Sequence, residues 1–565
     1  MTSYPASSLC LVLLLSLQQP LVQAHNNKLL RSAATADHHY HVVDWSNVTA
    51  TSKTMATLQV VANPILNTAI SPVAKRLFEN LNHLQADLVR YVPWFPYPHY
   101  GVAELDPPNV TTQTTSWNFS KELKQEFLDT FRAVTSPPPD TDADTDKTHQ
   151  KKKKKRMVIN FSTQPTWMFN TSHWSYSQDP NHADWNYIKG RWINSTTQLV
   201  ADYYGRLAEW IVLGHFVDEF GHKHTGGPAL QDDVTHWEIF NEPEGEHSIT
   251  PQQYNALYDA IVRAIRVKAD PQKKIQFMGM ALMGHREWDY WKGFLTPENH
   301  AEDVRDAVAN GYASFHWYTH CSNRTNASTF EEAFVRIPSF LEEIDEIVRL
   351  RDSLSPTTQL ALNEAGVIPV KDNDPNAAAL PPVYFNMAAG LFTVLISELS
   401  RKGVEVVGSS QFCGCPALPQ WHILDRQFPG VSMTNWTTGE GNPRYWALKL
   451  YLQYFGPGDK IVHSSEAHLD DNSNDDDVYV QGRITHRGNN YVVIVVNKTN
   501  REQRLTLKHL SGAHVSLVDE STHDTAWKEF TSHSDTLVLG RFAVAVVHVT
   551  QMMMPEELET RAEEK

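Results

Sequence analysis

The chain contains 565 residues, of which 41% are hydrophobic and 20% are charged, and its formal net charge is −16 at pH 7. That length accommodates a barrel of about 250 to 400 residues together with one further domain. The acidic balance excludes nucleic acid and anionic membrane surfaces as favoured partners, and it suits a neutral or basic partner.

The first 24 residues have the features of a secretory signal peptide. An apolar run from Leu9 to Leu17 precedes Val22-Gln23-Ala24, which places small residues at a cleavage site, although the leading stretch has no Lys or Arg. The run is too short to span a bilayer comfortably, and no other stretch approaches that length. We therefore expect a secreted, extracellular protein without a membrane span, in which residues 25–54 form an N-terminal segment.

Asn-X-Ser/Thr sequons are numerous, which suits a secreted glycoprotein, and we expect N-glycans on several of them. Asn160 lies in an apolar stretch that predicts a core strand, so burial argues against a glycan there. The sequons are at Asn47, Asn109, Asn118, Asn160, Asn170, Asn194, Asn323, Asn326, Asn435 and Asn497.

Three cysteines follow the predicted signal peptide, at Cys321, Cys413 and Cys415. One hypothesis is a single disulfide from Cys321 to one member of the Cys413-Gly-Cys415 pair, which leaves one free thiol. The alternative is that all three stay reduced and buried. The few cysteines and the absence of paired Cys-X-X-Cys motifs argue against a zinc site. We expect no metal and no cofactor.

From residue 55 to residue 455, apolar runs alternate with amphipathic stretches. This pattern predicts a (β/α)8 TIM barrel whose active site gathers at the carboxyl ends of its strands. Residues 136–156, between strands two and three, are rich in Pro, Asp and Lys and predict a disordered insertion. The predicted strands are Thr57–Val61, Leu88–Val92, Met157–Phe161, His236–Phe240, Ile275–Met280, Tyr312–Trp317, Leu360–Asn363 and Val404–Gly408. The amphipathic stretches are Pro72–Leu84, Lys121–Val134, Gln198–Phe216, Tyr254–Lys268, Ala301–Ala309, Phe330–Leu350, Ala377–Arg401 and Asn442–Phe455.

After Gly456-Pro-Gly458 the pattern changes to short alternating strands separated by polar turns. Residues 456–551 therefore predict a β-sandwich domain, and residues 552–565 a flexible tail. Such a domain either stabilises the barrel passively or binds carbohydrate, and the first role is the more common one.

Two of the predicted strands end in a glutamate at a turn. Strand four runs into Asn241-Glu242-Pro243, and strand seven ends at Glu364. Cleavage of a glycosidic bond needs one protonated carboxyl beside the leaving oxygen and one ionised carboxylate facing the anomeric carbon. A buried strand-end Glu that only forms a salt bridge is the structural alternative. Two such strand ends on one predicted barrel favour catalysis.

The strings Trp-Glu-Ile-Phe-Asn-Glu-Pro-Glu at 237–244 and Leu-Asn-Glu-Ala-Gly at 362–366 resemble the motifs of clan A retaining glycoside hydrolases. The arrangement looks closest to the β-xylosidase/α-L-iduronidase family. The resemblance implies that Glu242 is the general acid/base, that Glu364 is the nucleophile and that Asn241 binds the sugar 2-hydroxyl.

The same resemblance implies roles for residues on two other strands. Arg90 on strand two would contact the nucleophile and keep it ionised, or it would only tie down Glu238 inside the barrel. His316-Trp-Tyr318 ends strand six, where the phenol would hydrogen-bond the nucleophile and the imidazole would contact the acid/base or the sugar. Aromatic packing is the alternative role for that tripeptide.

Aromatic residues near the strand ends are candidates for stacking on sugar rings. Trp94 follows strand two and Trp421 follows strand eight, and either one is a subsite platform or a core residue.

The sequence thus predicts a secreted retaining O-glycoside hydrolase that cleaves oligo- or polysaccharides or glycoconjugates by double displacement. The alternative is a catalytically inactive glycan-binding or host-interaction protein on the same fold. Against it stand Glu242, Glu364, Asn241, Arg90 and Tyr318, since a decayed site would be expected to have lost at least one of them. An inverting hydrolase would hold its carboxyl groups about 6.5 to 9.5 Å apart.

Overall fold

A parallel β-barrel forms the larger part of the protein. The computed structural model describes residues 38–93, 96–119, 121–137, 155–170, 177, 179, 181–182, 190–374, 376–415, 428–466, 477–486, 490–508 and 510–549. Eight parallel strands close in chain order, which confirms the predicted fold class. They are Met55–Ala62, Leu88–Pro93, Arg156–Ile159, His236–Glu238, Gln276–Leu282, Tyr312–Thr319, Gln359–Val367 and Val406–Ser409, here called barrel strands one to eight.

Helices surround the barrel, and local sequence explains where several of them begin. Thr250 and Gln253 form a reciprocal capping box at the start of the helix that follows strand four, and Pro251 occupies its first turn. The eight-residue helix Trp288–Leu295 is too short to give a clear periodic signal. The α-helices are Ala74–Leu84, Lys121–Thr135, Thr197–Leu213, Pro243–Glu246, Pro251–Lys268, Trp288–Leu295, Arg305–Ala309, Glu332–Val335, Ile337–Leu354, Pro382–Arg401 and Pro443–Tyr454.

The second domain is built on a mixed nine-stranded sheet. Its first strand, His38–Thr51, comes from the segment before the barrel and pairs with Lys460–Glu466 in antiparallel and Gln503–Leu507 in parallel orientation. The predicted N-terminal segment is therefore a strand of the second domain, held by partners more than 400 residues away. The remaining strands are Val478–Ile484, Tyr491–Asn497, His514–Val518, Lys528–Thr531, Thr536–Leu539 and Val544–Val549. Among the described residues, two short antiparallel strand pairs lie outside both sheets, Phe169–Asn170 with Arg191–Trp192 and His215–Val217 with Lys223–Thr225.

The helix Pro382–Arg401 joins the two domains. Contrary to the expectation that no stretch after the predicted signal is long and apolar enough, its length and composition would allow a bilayer crossing, but 89% of its apolar window is buried inside the protein. Two side chains of the second domain bind it: Tyr479 donates to the Glu398 carboxylate at 2.7 Å, and Arg483 donates to the Ser400 hydroxyl at 2.6 Å. It is a core helix shared by both domains.

Two predictions about side chains and boundaries require correction. Cys321, Cys413 and Cys415 are all free and buried, so the disulfide hypothesis is wrong, and the thiols pack as small apolar groups. The insertion predicted over 136–156 extends two residues too far at its carboxyl end, because Arg156 begins strand three and the side chain of Lys155 forms a salt bridge with Asp87 at 2.8 Å. The signal peptide, the C-terminal tail and most of the insertion lie outside the described residues.

Candidate active site

A fully buried carboxylate organises the barrel interior just below the carboxyl ends of the strands. Glu238 on strand four accepts hydrogen bonds from four side chains, three on strands two, six and seven and one directly after strand three, so both of its oxygens have donors. The donors are Arg90 Nε at 2.5 Å, Asn160 Nδ2 at 2.6 Å, Ser314 Oγ at 2.8 Å and Asn363 Nδ2 at 2.6 Å.

Arg90 links this buried carboxylate to the strand ends above it. While Nε binds Glu238, Nη1 donates to Glu364 Oε1 at 2.5 Å and Nη2 donates to Asn241 Oδ1 at 2.7 Å. The sequence left open whether Arg90 contacts the nucleophile candidate or only Glu238, and the structure shows both contacts. A planar guanidinium with five donors can hold these groups in one fixed geometry.

A register shift in strand seven brings two consecutive side chains to the barrel interior. Phe315 pairs with Leu362 but His316 pairs with Glu364, so Asn363 is an extra residue on its strand. Asn363 therefore reaches Glu238, while Glu364 reaches Arg90. Gly408 on strand eight permits this, because a Cβ there would lie 2.8 Å from the Asn363 carbonyl oxygen.

Glu364 is held as an anion. Burial of the group raises its pKa, but the charges of His316 and Arg90 together with the hydrogen bond from Tyr318 outweigh burial, and the net pKa is lowered. Tyr318 donates to Glu364 Oε2 at 2.6 Å, so each carboxylate oxygen has a donor of its own. An ionised carboxylate with fixed orientation is what a nucleophile requires.

Glu242 occupies an unusual backbone position in the turn between strand four and the helix Pro243–Glu246. Its φ is 42°, in the left-handed region that costs a residue with a Cβ about 1 kcal/mol or more. Backbone hydrogen bonds hold this conformation, since Glu242 N donates to Ala281 O at 2.9 Å and Glu246 N donates to Glu242 O at 2.8 Å. The turn aims the side chain into the site, where 23% of it is exposed, against 10% for Glu364.

His316 stands between the two glutamates. Its Nδ1 lies 2.8 Å from Glu242 Oε1, and its Nε2 lies 3.6 Å from Glu364 Oε1. Burial lowers the pKa of this imidazole, but the charge of Glu364 and the contacts with Glu242 raise it by more, so the net pKa is raised. Trp317, the residue between His316 and Tyr318, faces outward and stacks on Phe340 with ring centroids 4.5 Å apart.

Asn241 is oriented from both ends of its amide. Its Oδ1 accepts from Arg90, and its Nδ2 donates to Glu246 Oε1 at 2.9 Å. Glu246 is buried, and burial together with the nearby charge of Glu242 raises its pKa well above the usual range. The pKa of Glu244 is raised to about 8, mainly by burial and secondarily by the charge of Glu242.

The distance between the two candidate catalytic carboxylates separates the possible mechanisms. One side-chain oxygen of Glu242, one side-chain oxygen of Glu364 and one ring nitrogen of His316 all lie within 4.8 Å of one another. Retaining glycosidases place these groups about 5 to 5.5 Å apart, and inverting ones leave room for a water between them. The nearest oxygens of Glu242 and Glu364 are thus at most 4.8 Å apart, a spacing compatible with the shorter of these two separations.

Not every predicted site residue lies where the structure can place it. Trp94 and Trp421 lie outside the described residues. Glu104, which is close to the site in sequence, is instead fully buried in a bidentate ion pair with Arg206, with both contacts at 2.8 Å. Sequence reasoning missed Gln59, Ser314 and Asn363. Each is a polar residue on a largely apolar strand, a signal that marks it as unusual without identifying its partners on other strands.

The comparisons with known proteins concern the second domain and the fold. A family model described as D-apionate lactonase, C-terminal immunoglobulin-like domain, matches residues 478–547. No curated protein matches the chain.

Among solved structures, a family 51 α-L-arabinofuranosidase from Bifidobacterium longum is similar, with a TM-score of 0.55 and 10% identity over 92% of this chain and 100% of that one. The α-L-arabinofuranosidase from Thermotoga maritima has a TM-score of 0.53 and 14% identity over 90% and 99%. A glycoside hydrolase family 30 subfamily 8 xylanase from Clostridium acetobutylicum has a TM-score of 0.50 and 11% identity over 90% and 98%. At these identities the likeness establishes a shared fold that extends over both domains.

Proposed function

We propose that this protein is a secreted retaining glycoside hydrolase in which Glu364 is the nucleophile and Glu242 the general acid/base. The observation that carries the proposal is the carboxylate pair at the ends of strands four and seven, with one oxygen of each within 4.8 Å. Their surroundings differ as the reaction requires. Glu364 is buried between Arg90 and Tyr318, whereas Glu242 is more exposed and contacts His316.

In the first step Glu364 attacks the anomeric carbon and forms a glycosyl ester, while the bond to the leaving oxygen breaks. Glu242 gives that oxygen its proton. The 2.8 Å contact between Glu242 Oε1 and His316 Nδ1 holds the carboxyl of Glu242 in a fixed orientation for this transfer. Asn241, held by Arg90 and Glu246, is fixed beside the same space and presents its amide to the sugar.

In the second step Glu242 takes a proton from water, the water oxygen attacks the anomeric carbon, and Glu364 leaves as a carboxylate. Arg90 and Tyr318 stabilise the negative charge that returns to Glu364, because each donates a hydrogen bond to one of its oxygens. The two inversions give net retention of configuration.

The charges around the site favour a neutral sugar at the reacting position. Arg90 and His316 are the cationic groups of the described site, and both are engaged with carboxylates. An anionic sugar would therefore meet the carboxylate of Glu364, while Arg90 and His316 are already paired with Glu364 and Glu242. The similar solved structures are named as arabinofuranosidases and a xylanase, so arabinofuranosides and xylosides are the first substrates to test.

Export and N-glycosylation belong to the same proposal. Asn47, Asn109 and Asn323 are exposed and available for glycans. Asn160 and Asn497 are fully buried, and Asn160 donates to Glu238, so neither accepts a glycan in the folded protein.

A panel of aryl glycosides with different sugars, incubated with the secreted protein, tests the proposal. We expect turnover of at least one neutral glycoside and its loss in Glu364→Gln and in Glu242→Gln assayed with a poor leaving group. Absence of turnover across the panel, with glycan binding unchanged in both variants, would instead indicate the inactive glycan-binding protein.

A further inference from the structure

We propose that Gln59 and Ser410 are positioning residues that close a ring of hydrogen bonds on the nucleophile Glu364. This inference rests on the proposed function, because it assigns these two residues a role in orienting the carboxylate that reacts. Gln59 lies on strand one and Ser410 follows strand eight, which are neighbours in the closed barrel. Their hydrogen bonds reach Glu364 only through Arg90 and Tyr318.

The ring can be followed from one oxygen of Glu364 to the other. Arg90 Nη1 donates to Glu364 Oε1 at 2.5 Å and also to Gln59 Oε1 at 2.8 Å. Gln59 Nε2 lies 2.7 Å from Ser410 Oγ, which lies 2.7 Å from the Tyr318 hydroxyl. That hydroxyl donates to Glu364 Oε2 at 2.6 Å and completes the circuit.

Every proton in this ring has only one possible direction. A guanidinium can only donate, so the Gln59 oxygen must face Arg90 and the Gln59 nitrogen must face Ser410. A carboxylate can only accept, so the single Tyr318 proton points at Glu364. Because the Tyr318 proton is used on Glu364, the Ser410 hydroxyl must donate its own proton to the Tyr318 oxygen, while the Ser410 oxygen accepts from Gln59. Hydrogen bonds in such a directed series strengthen one another.

The ring is buried, and Arg444 holds one of its members, Ser410, in place. Gln59, Arg90 and Ser410 are each at most 3% exposed. Arg444 fixes the backbone at Ser410 by donating to its carbonyl oxygen, and the same guanidinium donates to the Ser409 hydroxyl at 3.0 Å. The consequence is that the two oxygens of Glu364 keep the same donors and the same orientation in the free enzyme.

The test compares Ser410→Ala with Ser409→Ala, a matched control. Both serines are buried and adjacent, but Ser409 contacts Arg444 and lies outside the ring. For Ser410→Ala we expect kcat/KM to fall about tenfold and the acidic limb of its pH profile to move up by about half a unit to one unit, because Tyr318 donates less strongly to Glu364. Ser409→Ala should change stability without moving that limb.

A second variant, Gln59→Leu, breaks the ring at another point and should give the same shift. The double variant Gln59→Leu with Ser410→Ala should be no worse than either single one, because members of one ring are not additive. Equal acidic limbs in Ser410→Ala and Ser409→Ala, or additive losses in the double variant, would overturn the ring.

A measurement that needs no turnover separates this inference from the proposed function. The pKa of the Glu364 carboxyl can be followed by carbon-13 NMR titration of glutamate-labelled protein, with the signal assigned from Glu364→Gln. A higher pKa in Ser410→Ala but not in Ser409→Ala supports the ring even if no glycoside is hydrolysed. Active protein with an unchanged pKa in both variants rejects the ring and leaves the glycosidase proposal intact.

Discussion

The two ends of the barrel interior are built from opposite kinds of residue. At the amino ends of the strands a plug of apolar side chains fills the barrel, with contributions from strands one, two, three, five, six, seven and eight. At the carboxyl ends the interior is polar and holds Glu238, Arg90, Gln59 and Glu364 within one hydrogen-bonded network. The plug consists of Met55, Leu88, Val158, Met278, Tyr312, Ala361 and Val406.

The apolar end of the barrel contributes mainly to the stability of the fold, and the polar end contributes mainly to the chemistry of the site. Apolar burial at the plug contributes about 25 cal/mol per Å² and does not require particular partners. A buried charge such as Glu238 contributes little net stability and persists only because each of its oxygens is satisfied. Substitutions at the two ends should therefore affect different measurements.

The largest effect is expected for Glu364. Glu364→Ala should lower kcat by about 10⁵-fold or more, because the covalent intermediate can no longer form. Azide should restore part of the turnover and give a product of inverted configuration, which chromatography and NMR would detect. Glu364→Gln should lose turnover to a similar extent while the free energy of unfolding stays within about 2 kcal/mol. Turnover close to that of the wild type in either variant would contradict the assignment.

Glu242→Ala should give a loss that depends on the leaving group. General acid catalysis contributes about 10² to 10⁴-fold, so substrates with poor leaving groups should lose about that much. Activated aryl glycosides need little protonation and should lose far less in the first step. Steady-state kinetics across a leaving-group series measures this, and equal losses for all members would show that Glu242 is not the acid.

The apolar plug should respond in the opposite way. Leu88 is 1% exposed, and Leu88→Ala should lower the free energy of unfolding by about 2 to 5 kcal/mol through the cavity it leaves. Below the unfolding transition, kcat should stay within about twofold, since a change at the plug leaves the polar network in place. Denaturant unfolding measures the loss of stability, and steady-state kinetics measures kcat. A large loss of kcat in folded protein would show that the apolar end of the barrel is coupled to the polar end.

A smaller effect, dependent on pH, is expected from Glu244. Its folded pKa of about 8 lies above the value of about 4.3 in an unfolded chain, so the folded state binds the proton more tightly. Stability from this group is present at low pH and is lost as the pH rises from about 4.3 to about 8, by at most about 1.4 kcal/mol per unit. Glu244→Gln should flatten the fall in denaturant midpoint between pH 5.5 and 8. The exposed Glu298→Gln serves as the control and should leave the slope unchanged.

The architecture of the barrel could be predicted from the sequence because each strand is a local apolar run. All eight predicted strands overlap observed ones. Glu242 comes after strand four, which ends at Glu238, and Glu364 lies inside strand seven, which continues to Val367 instead of ending at Glu364 as predicted. Strand His38–Thr51 could not be placed in the same way, because its partners follow more than 400 residues later and only long-range pairing defines its domain.

The candidate site was predictable only in part, for a related reason. Arg90, His316 and Tyr318 were identified through resemblance, but the bulge that brings Asn363 and Glu364 to the same side cannot be read from alternation along one strand. Gln59 and Ser410 were missed because their importance lies in partners on other strands.

The central claim is that Glu364 forms a covalent glycosyl ester. A 2-deoxy-2-fluoro glycoside of the sugar that the enzyme hydrolyses should inactivate it with time, and mass spectrometry of the digested protein should place one sugar on the peptide that contains Glu364. The account predicts this label and its loss in Glu364→Gln. A label on Glu242 or on any other residue, or rapid hydrolysis of other glycosides without any covalent intermediate, would contradict it.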